Sequence, residues 1–159
     1  MEYRTIDDLK KAGFEEFRTV EKLKEDLSDI PAVAGVYMVV YQGDGMPEFL
    51  ENGTGGFFKG KNPNVPVSEL ESNWVNNTCV VYIGKATTLS KRISQYLRFG
   101  NGENIGHWGG RLIWQIKDSK DLQLCWKPVD TNPREEEKRL IADFKRQYDG
   151  KRPFANLQD

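Results

Sequence analysis

Residues 80–86 read Val80-Val81-Tyr82-Ile83-Gly84-Lys85-Ala86, with Leu89 and Arg92 following at helical spacing, so an apolar strand runs out into polar, reactive side chains. Alternation along a strand puts Val80 and Tyr82 on one face and Cys79, Val81 and Ile83 on the other. A second run, Gly35-Val36-Tyr37-Met38-Val39-Val40-Tyr41, puts Val36, Met38 and Val40 on one face and Tyr37 on the other, beside Gly35 and Val39. Two phenols are therefore expected on one sheet surface.

Beyond residue 86, Thr87 or Thr88 caps a helix whose Leu89, Ile93 and Leu97 form a core-facing stripe, with Arg92 and Tyr96 on another line. The apolar runs Leu112–Ile116 and Leu122–Trp126 read as two strands of a hairpin around Asp118, Ser119 and Asp121. Asn132-Pro133 sets an N-cap and a first-turn proline, with Glu135 completing a capping box, and opens a helix to about Tyr148. On the N-terminal side, residues 1–30 read as a helical extension. Thr5 and Asp8 cap a short helix, and Thr19 opens a second with the stripe Val20, Leu23 and Leu27, closed by Pro31.

Residues 42–78 separate the two tyrosine strands. They hold six glycines and the prolines Pro47, Pro63 and Pro66, which predicts an excursion of little regular structure. One helix over Val67–Trp74, capped by Ser68, turns Leu70 and Trp74 inward. Within the excursion, Gly55 to Lys61 has the spacing of a phosphate-binding loop. Asn62 stands where Ser or Thr is required, and Pro63 blocks the helix that should follow, so that reading is set aside.

The 159 residues fit one domain. No apolar run approaches the roughly 18 residues that cross a bilayer, and Met1–Lys11 lacks the apolar core of a signal peptide. Cys79 and Cys125 lack metal-ligand spacing and read as buried free thiols, implying a reducing, cytoplasmic setting. The net charge of −1 conceals an asymmetry: residues 1–79 carry 8 Lys and Arg against 14 Asp and Glu, and residues 80–159 carry 15 against 10. The basic half is the one that holds the suspected site, which suits phosphate binding.

The last helix places Glu137 in line with Ile141, Phe144 and Tyr148, on the face that turns inward. A carboxylate there needs a cation, a hydrogen bond or a metal. Hydrolysis of a phosphodiester requires a water with a base, cations on the non-bridging oxygens and a Lewis acid on the leaving oxygen. Tyrosine, arginine, lysine and glutamate supply all three. His107, the only histidine, sits beside Trp108 in a glycine-rich loop, cannot alone build a zinc site, and reads as a hydrogen-bonded structural residue.

Taken together, these residues resemble the GIY-YIG nuclease superfamily, and within it the catalytic domain of the incision subunit of bacterial nucleotide-excision repair. Gly35-Val36-Tyr37 resembles the first motif and Tyr82-Ile83-Gly84 the second; Lys85-Ala86 through Leu89 and Arg92 to Tyr96 are similar to the helix that follows. Glu137 stands at the family's metal-binding glutamate, and Asn156, after Pro153, at its terminal asparagine. The likeness spans residues 35–41 and 80–156. It departs from the family in the 42–78 insertion and in extra residues between Ile141 and Pro153.

The resemblance implies an α+β domain with a small, mainly antiparallel central sheet flanked by helices, interrupted by the insertion. It also implies a metal-dependent endonuclease acting on DNA, with one Mg2+ or Mn2+ held by Glu137. Arg92 would bind the phosphate, Tyr37 or Tyr82 would activate water with help from Lys85, and Tyr96 and Asn156 would support the site. One such site cuts one strand, so double-strand breaks call for a homodimer or sequential action. Two other readings stand beside it: a module on the same fold that binds nucleic acid without cutting it, and a protein-interaction domain working through residues 42–78.

Overall fold

A computed structural model describes all residues, 1–159. In chain order the elements are α1 (Ile6–Lys11), β1 (Glu15–Thr19), α2 (Val20–Glu25), β2 (Gly35–Val40), α3 (Val67–Asn73), β3 (Val80–Ala86), α4 (Leu89–Gly100), β4 (Gln123–Pro128) and α5 (Pro133–Gln147). The strands form one antiparallel sheet in the order β1-β4-β2-β3, flanked by helices, so the chain is α+β as expected. No helix is long and apolar enough to cross a membrane.

Side-chain alternation in the sheet divides the core into two layers. Val36, Met38, Val40, Ile83 and Cys125 meet Leu140, Ile141 and Phe144 of α5 on one face. On the other, Tyr37, Val39, Tyr82, Leu124 and Trp126 meet Leu89, Ile93, Tyr96 and Leu97 of α4. Both cysteines are free and buried, as expected from their apolar runs. Strands β2 and β3 are direct neighbours despite the 37 residues numbered 42–78 between them, with Tyr37 opposite Gly84 and Val39 opposite Tyr82.

Several local expectations are corrected. In β3 the register passes from Val39↔Tyr82 to Val40↔Val80, so Val81 is an extra, bulged residue. Val81 consequently joins Tyr82 in the α4 layer and Val80 joins Ile83 in the α5 layer, the reverse of strict alternation for those two valines. Leu112–Ile116 is not a strand: residues Trp108–Gln115 form a 3-10 helix with a kink at Gly110, and no hairpin connects it to β4. Leu112, Ile113, Trp114 and Gln115 are all buried, and a short run buried on every side reads alike as strand or helix.

Residues 1–30 contain, besides two helices, the edge strand β1. Helix α1 has the reciprocal capping box: Thr5 Oγ1 accepts from the Asp8 amide and the Asp8 carboxylate accepts from the Thr5 amide. Helix α2 stops at Glu25, short of Leu27. Ser68 does not cap α3, which begins after Pro66 with no side-chain cap. Asn132 caps α5 by accepting from the Arg134 amide, and Glu135 makes no return bond.

The insertion is more ordered than its glycines suggest. Buried Gln115 staples it: Oε1 accepts from the Val65 amide at 2.9 Å, and Nε2 donates to the Leu50 and Val65 carbonyls at 3.0 and 2.9 Å. Phe49, Trp74 and Phe154 then cluster with ring centroids 5.4–6.2 Å apart. Gly55–Lys61 leads only into a short 3-10 turn, Phe58–Gly60, followed by extended chain, which agrees with rejecting a phosphate loop.

Candidate active site

A cleft of about 620 Å³ opens where β3 ends, between the first turns of α4 and α5. Tyr37, Tyr82, Lys85, Arg92 and Glu137 line it, joined by Lys91, Gln95 and Arg134. Each residue arrives for a local reason. Tyr37 lies across its cross-strand partner Gly84, where a Cβ would come within 2.4 Å of the ring. Only glycine at 84 leaves the phenol that path. A Cβ on Gly110 would likewise sit 2.9 Å from the Tyr96 hydroxyl oxygen and 3.0 Å from Tyr82 Cζ, so the 3-10 segment packs onto the tyrosines through its glycine.

The two strand phenols have ring centroids 6.1 Å apart, and Tyr96 lies 6.2 Å from Tyr37 and 5.6 Å from Tyr82. Burial, reinforced by the neighbouring Tyr82, pushes the Tyr37 hydroxyl well above its ordinary value, with Arg92 opposing. Burial first and the Glu137 charge second push Tyr82 up to about 12, again against Arg92. Burial thus raises both phenols, and Arg92 opposes it at each. Tyr96 is wholly buried, pushed well up by that burial, and donates to the Gly110 carbonyl at 2.8 Å, behind the cleft rather than in it.

Arg92 is half-buried at the cleft, with Nη1 donating to the Gly106 carbonyl at 3.2 Å and to Gln95 Oε1 at 3.4 Å, which leaves the other side of its guanidinium for a ligand. The first amides of α4 are not open: Leu89 and Ser90 donate to the Val33 and Pro31 carbonyls. Anion binding here falls to side chains. Asn156 is outside the cleft. Its Oδ1 accepts from the Ile83 amide and its Nδ2 donates to the Ile83 carbonyl, both at 2.9 Å, so the amide clamps the free edge of β3 between Tyr82 and Gly84.

Glu137 sits on α5 with its side chain 14% exposed. Burial raises its carboxyl above the usual range, and Lys85 pulls it back. The Lys85 Nζ stands 3.6 Å from Oε1, an ion pair too long to be a hydrogen bond. The carboxylate thus keeps lone pairs for a further cation. No group of three or more His, Cys, Asp or Glu side chains forms a protein-only metal cage. A single carboxylate facing a cleft suits Mg2+, which is commonly held by one or two carboxylates with water and substrate phosphate completing its octahedron.

No family model, no curated protein and no solved structure matches the chain.

His107 is the residue that the sequence undervalues. It is hydrogen-bonded, as expected, but its partner is the Tyr37 hydroxyl, 2.7 Å from Nε2. The ring stacks on Tyr96 at 3.9 Å, 6.2 Å from the Tyr82 ring. Burial, with Arg92 adding to it, holds the imidazole well below its ordinary value and hence neutral. A lone histidine in a glycine-rich loop carries no spacing that foretells this position. Arg134 was legible only as the residue after the first-turn proline, yet it too lines the cleft and lowers Glu137.

Proposed function

We propose that this chain is a GIY-YIG-type endonuclease that hydrolyses phosphodiester bonds in DNA, cutting one strand per active site. The observation that supports it best is the convergence of Tyr37, Tyr82, Lys85, Arg92 and Glu137, drawn from four elements, around one cleft. A divalent ion, Mg2+ or Mn2+, held by Glu137 would supply Lewis-acid polarisation of the scissile phosphate.

The chain's own residues have the remaining roles. The open side of the Arg92 guanidinium grips a non-bridging phosphate oxygen, where a planar fork gives both charge and direction. One strand phenol holds the attacking water and takes its proton. Lys85 keeps Glu137 ionised against its burial and adds positive charge over the phosphate. Tyr96 and Asn156 position rather than touch: the first fixes the Gly110 backbone beneath the phenols, the second fixes the end of β3 that carries Tyr82 and Lys85. A homodimer or two successive cuts would account for any double-strand break.

The experiment is cleavage of a panel of duplex, flapped, branched and single-stranded DNA by the purified chain, with Mg2+, Mn2+ or EDTA. Metal-dependent cuts with discrete products support the proposal. Salt-sensitive binding without cleavage under any condition would replace it with a non-cleaving nucleic-acid module.

A further inference from the structure

We propose that the turn Phe57–Lys61 of the insertion is a second DNA contact, in which the Phe57 ring stacks on an unpaired base of the strand held in the cleft while Lys59 and Lys61 meet its phosphates. The inference deepens the nuclease reading, on which it rests for the identity of the strand.

Residues 42–78 hold five carboxylates, Asp44, Glu48, Glu51, Glu69 and Glu71, and only two cations. Both cations, Lys59 and Lys61, fall in this one turn, and no carboxylate does. Both are exposed, and neither makes an ion pair. The single carboxylate of the facing loop 101–107, Glu103, is held by Arg98 at 3.0 Å. Beside the lysines stands Phe57, 54% exposed, the most exposed large apolar side chain of the molecule. An aromatic ring in water next to unpaired cations suits single-stranded nucleic acid, which needs a π face for a base and positive charge for its backbone.

The turn is seated against the loop that Arg92 also touches. Gly56 donates its amide to the Phe99 carbonyl at 2.9 Å, and a Cβ there would collide with the Glu103 carbonyl oxygen, so only glycine permits the approach. Asn104 Oδ1 accepts from the Lys59 amide at 3.1 Å. The Phe58 ring lies against Gly106, where a Cβ would stand 3.2 Å from its Cζ. The Gly106 carbonyl in turn accepts from Arg92 at 3.2 Å. A strand that leaves the Arg92 phosphate along this loop meets the turn next.

The backbone of the turn points the same way. Lys59 has φ of 53°, the left-handed region that disfavours a residue with a Cβ, and Gly60 follows at 74°. Glycine or asparagine would occupy position 59 with less strain, yet a lysine stands there, and strain of this kind clusters at functional sites. The Gly60 and Lys61 amides donate to the Phe57 and Phe58 carbonyls, so the turn offers a phosphate side-chain charge and no amide cradle. In a duplex each base is already stacked on its neighbours. Phe57 therefore finds a free π face only where the strand is unpaired.

The test is fluorescence anisotropy of a labelled oligothymidylate, alone or annealed to its complement, titrated with the purified chain in EDTA so that no strand is cut. Phe57→Ala should weaken single-strand binding about 5–150-fold, the range for one lost base stack, and weaken duplex binding far less, with the salt dependence and the unfolding midpoint unchanged. Phe57→Trp should retain the affinity. The double variant Lys59→Gln, Lys61→Gln should lower the slope of log affinity against log salt by about 1.4 on the single strand. Wild-type affinity in Phe57→Ala, an equal loss on duplex and single strand, an unchanged salt slope in the double variant, or no binding by the wild-type chain would each overturn the proposal. Nicking with Mg2+ or Mn2+ is read separately. A chain that binds as described but never cuts refutes the nuclease reading and leaves the turn as a DNA contact; a chain that cuts while these variants bind like the wild type refutes the turn alone.

Discussion

Helix α5 carries two carboxylates of nearly equal exposure, Glu137 at 14% and Asp143 at 17%, each near a phenol, and it treats them in opposite ways. Asp143 is saturated: it accepts from Tyr3 Oη at 2.9 Å, from Arg146 at 3.1 Å and from the Met1 amino group at 3.3 Å. Those bonds outweigh its burial and hold it below the ordinary carboxylate range. Glu137 has one loose lysine, no hydrogen bond to Tyr82, and a carboxyl raised by burial. One corner closes the fold. The other holds its charge at a cost in stability and leaves it facing a cleft.

The contrast is sharpest in the phenols. Tyr82→Phe should lower plasmid nicking about 10²–10⁴-fold, the usual range for a lost general base, with little change in unfolding midpoint. Tyr3→Phe should do the reverse, costing about 1–3 kcal/mol in denaturant unfolding by depriving Asp143 and the Leu140 carbonyl of their donor, with nicking intact. Equal effects on both properties would erase the distinction. Next in size is Gly84→Ala, whose Cβ would stand 2.4 Å from Tyr37 Cζ. It should destabilise by about 1–3 kcal/mol through overpacking and displace Tyr37, reducing nicking as well.

Stability against pH separates the carboxylates by sign. Asp143, lowered in the fold, contributes stability that is present above the unfolded value of about 3.9 and is lost as pH falls through its native value. Glu137, raised in the fold, is most favourable below about 4.3, and that contribution is lost as pH rises through its native value. Urea unfolding from pH 3 to 7 should therefore show Glu137→Gln flattening the fall above pH 4 and Asp143→Asn flattening the loss below it. The smallest effect is expected of Lys85→Met. It should change stability by less than about 1 kcal/mol, since the lysine is half exposed, yet move the acidic limb of the nicking profile upward because Glu137 loses its nearest cation.

Much of this architecture is written in local patterns. The alternation of Val36, Met38 and Val40 against Tyr37 survives intact, as does the Leu89, Ile93, Leu97 stripe, because each faces a continuous apolar layer. Strand β1 was not legible: Glu15-Glu16-Phe17-Arg18-Thr19 is an exposed edge without alternation, and Glu16 and Phe17 adopt positive φ between its paired ends. The Val81 bulge has no residue marker. The seven site residues named from sequence divide physically: five line the cleft, while Tyr96 and Asn156 stand behind it as braces. The hydrogen-bonded, structural reading of His107 holds, but its place among the phenols was not legible, because it comes from a loop packing onto three tyrosines, a tertiary fact with no sequence period.

The most direct measurement is supercoiled-plasmid nicking by the wild-type chain, Glu137→Gln and Asp143→Asn, purified identically and assayed with Mg2+ or Mn2+. The account predicts open circles from the wild type and Asp143→Asn only when metal is present, and none from Glu137→Gln. Nicking by Glu137→Gln at the wild-type rate would contradict it.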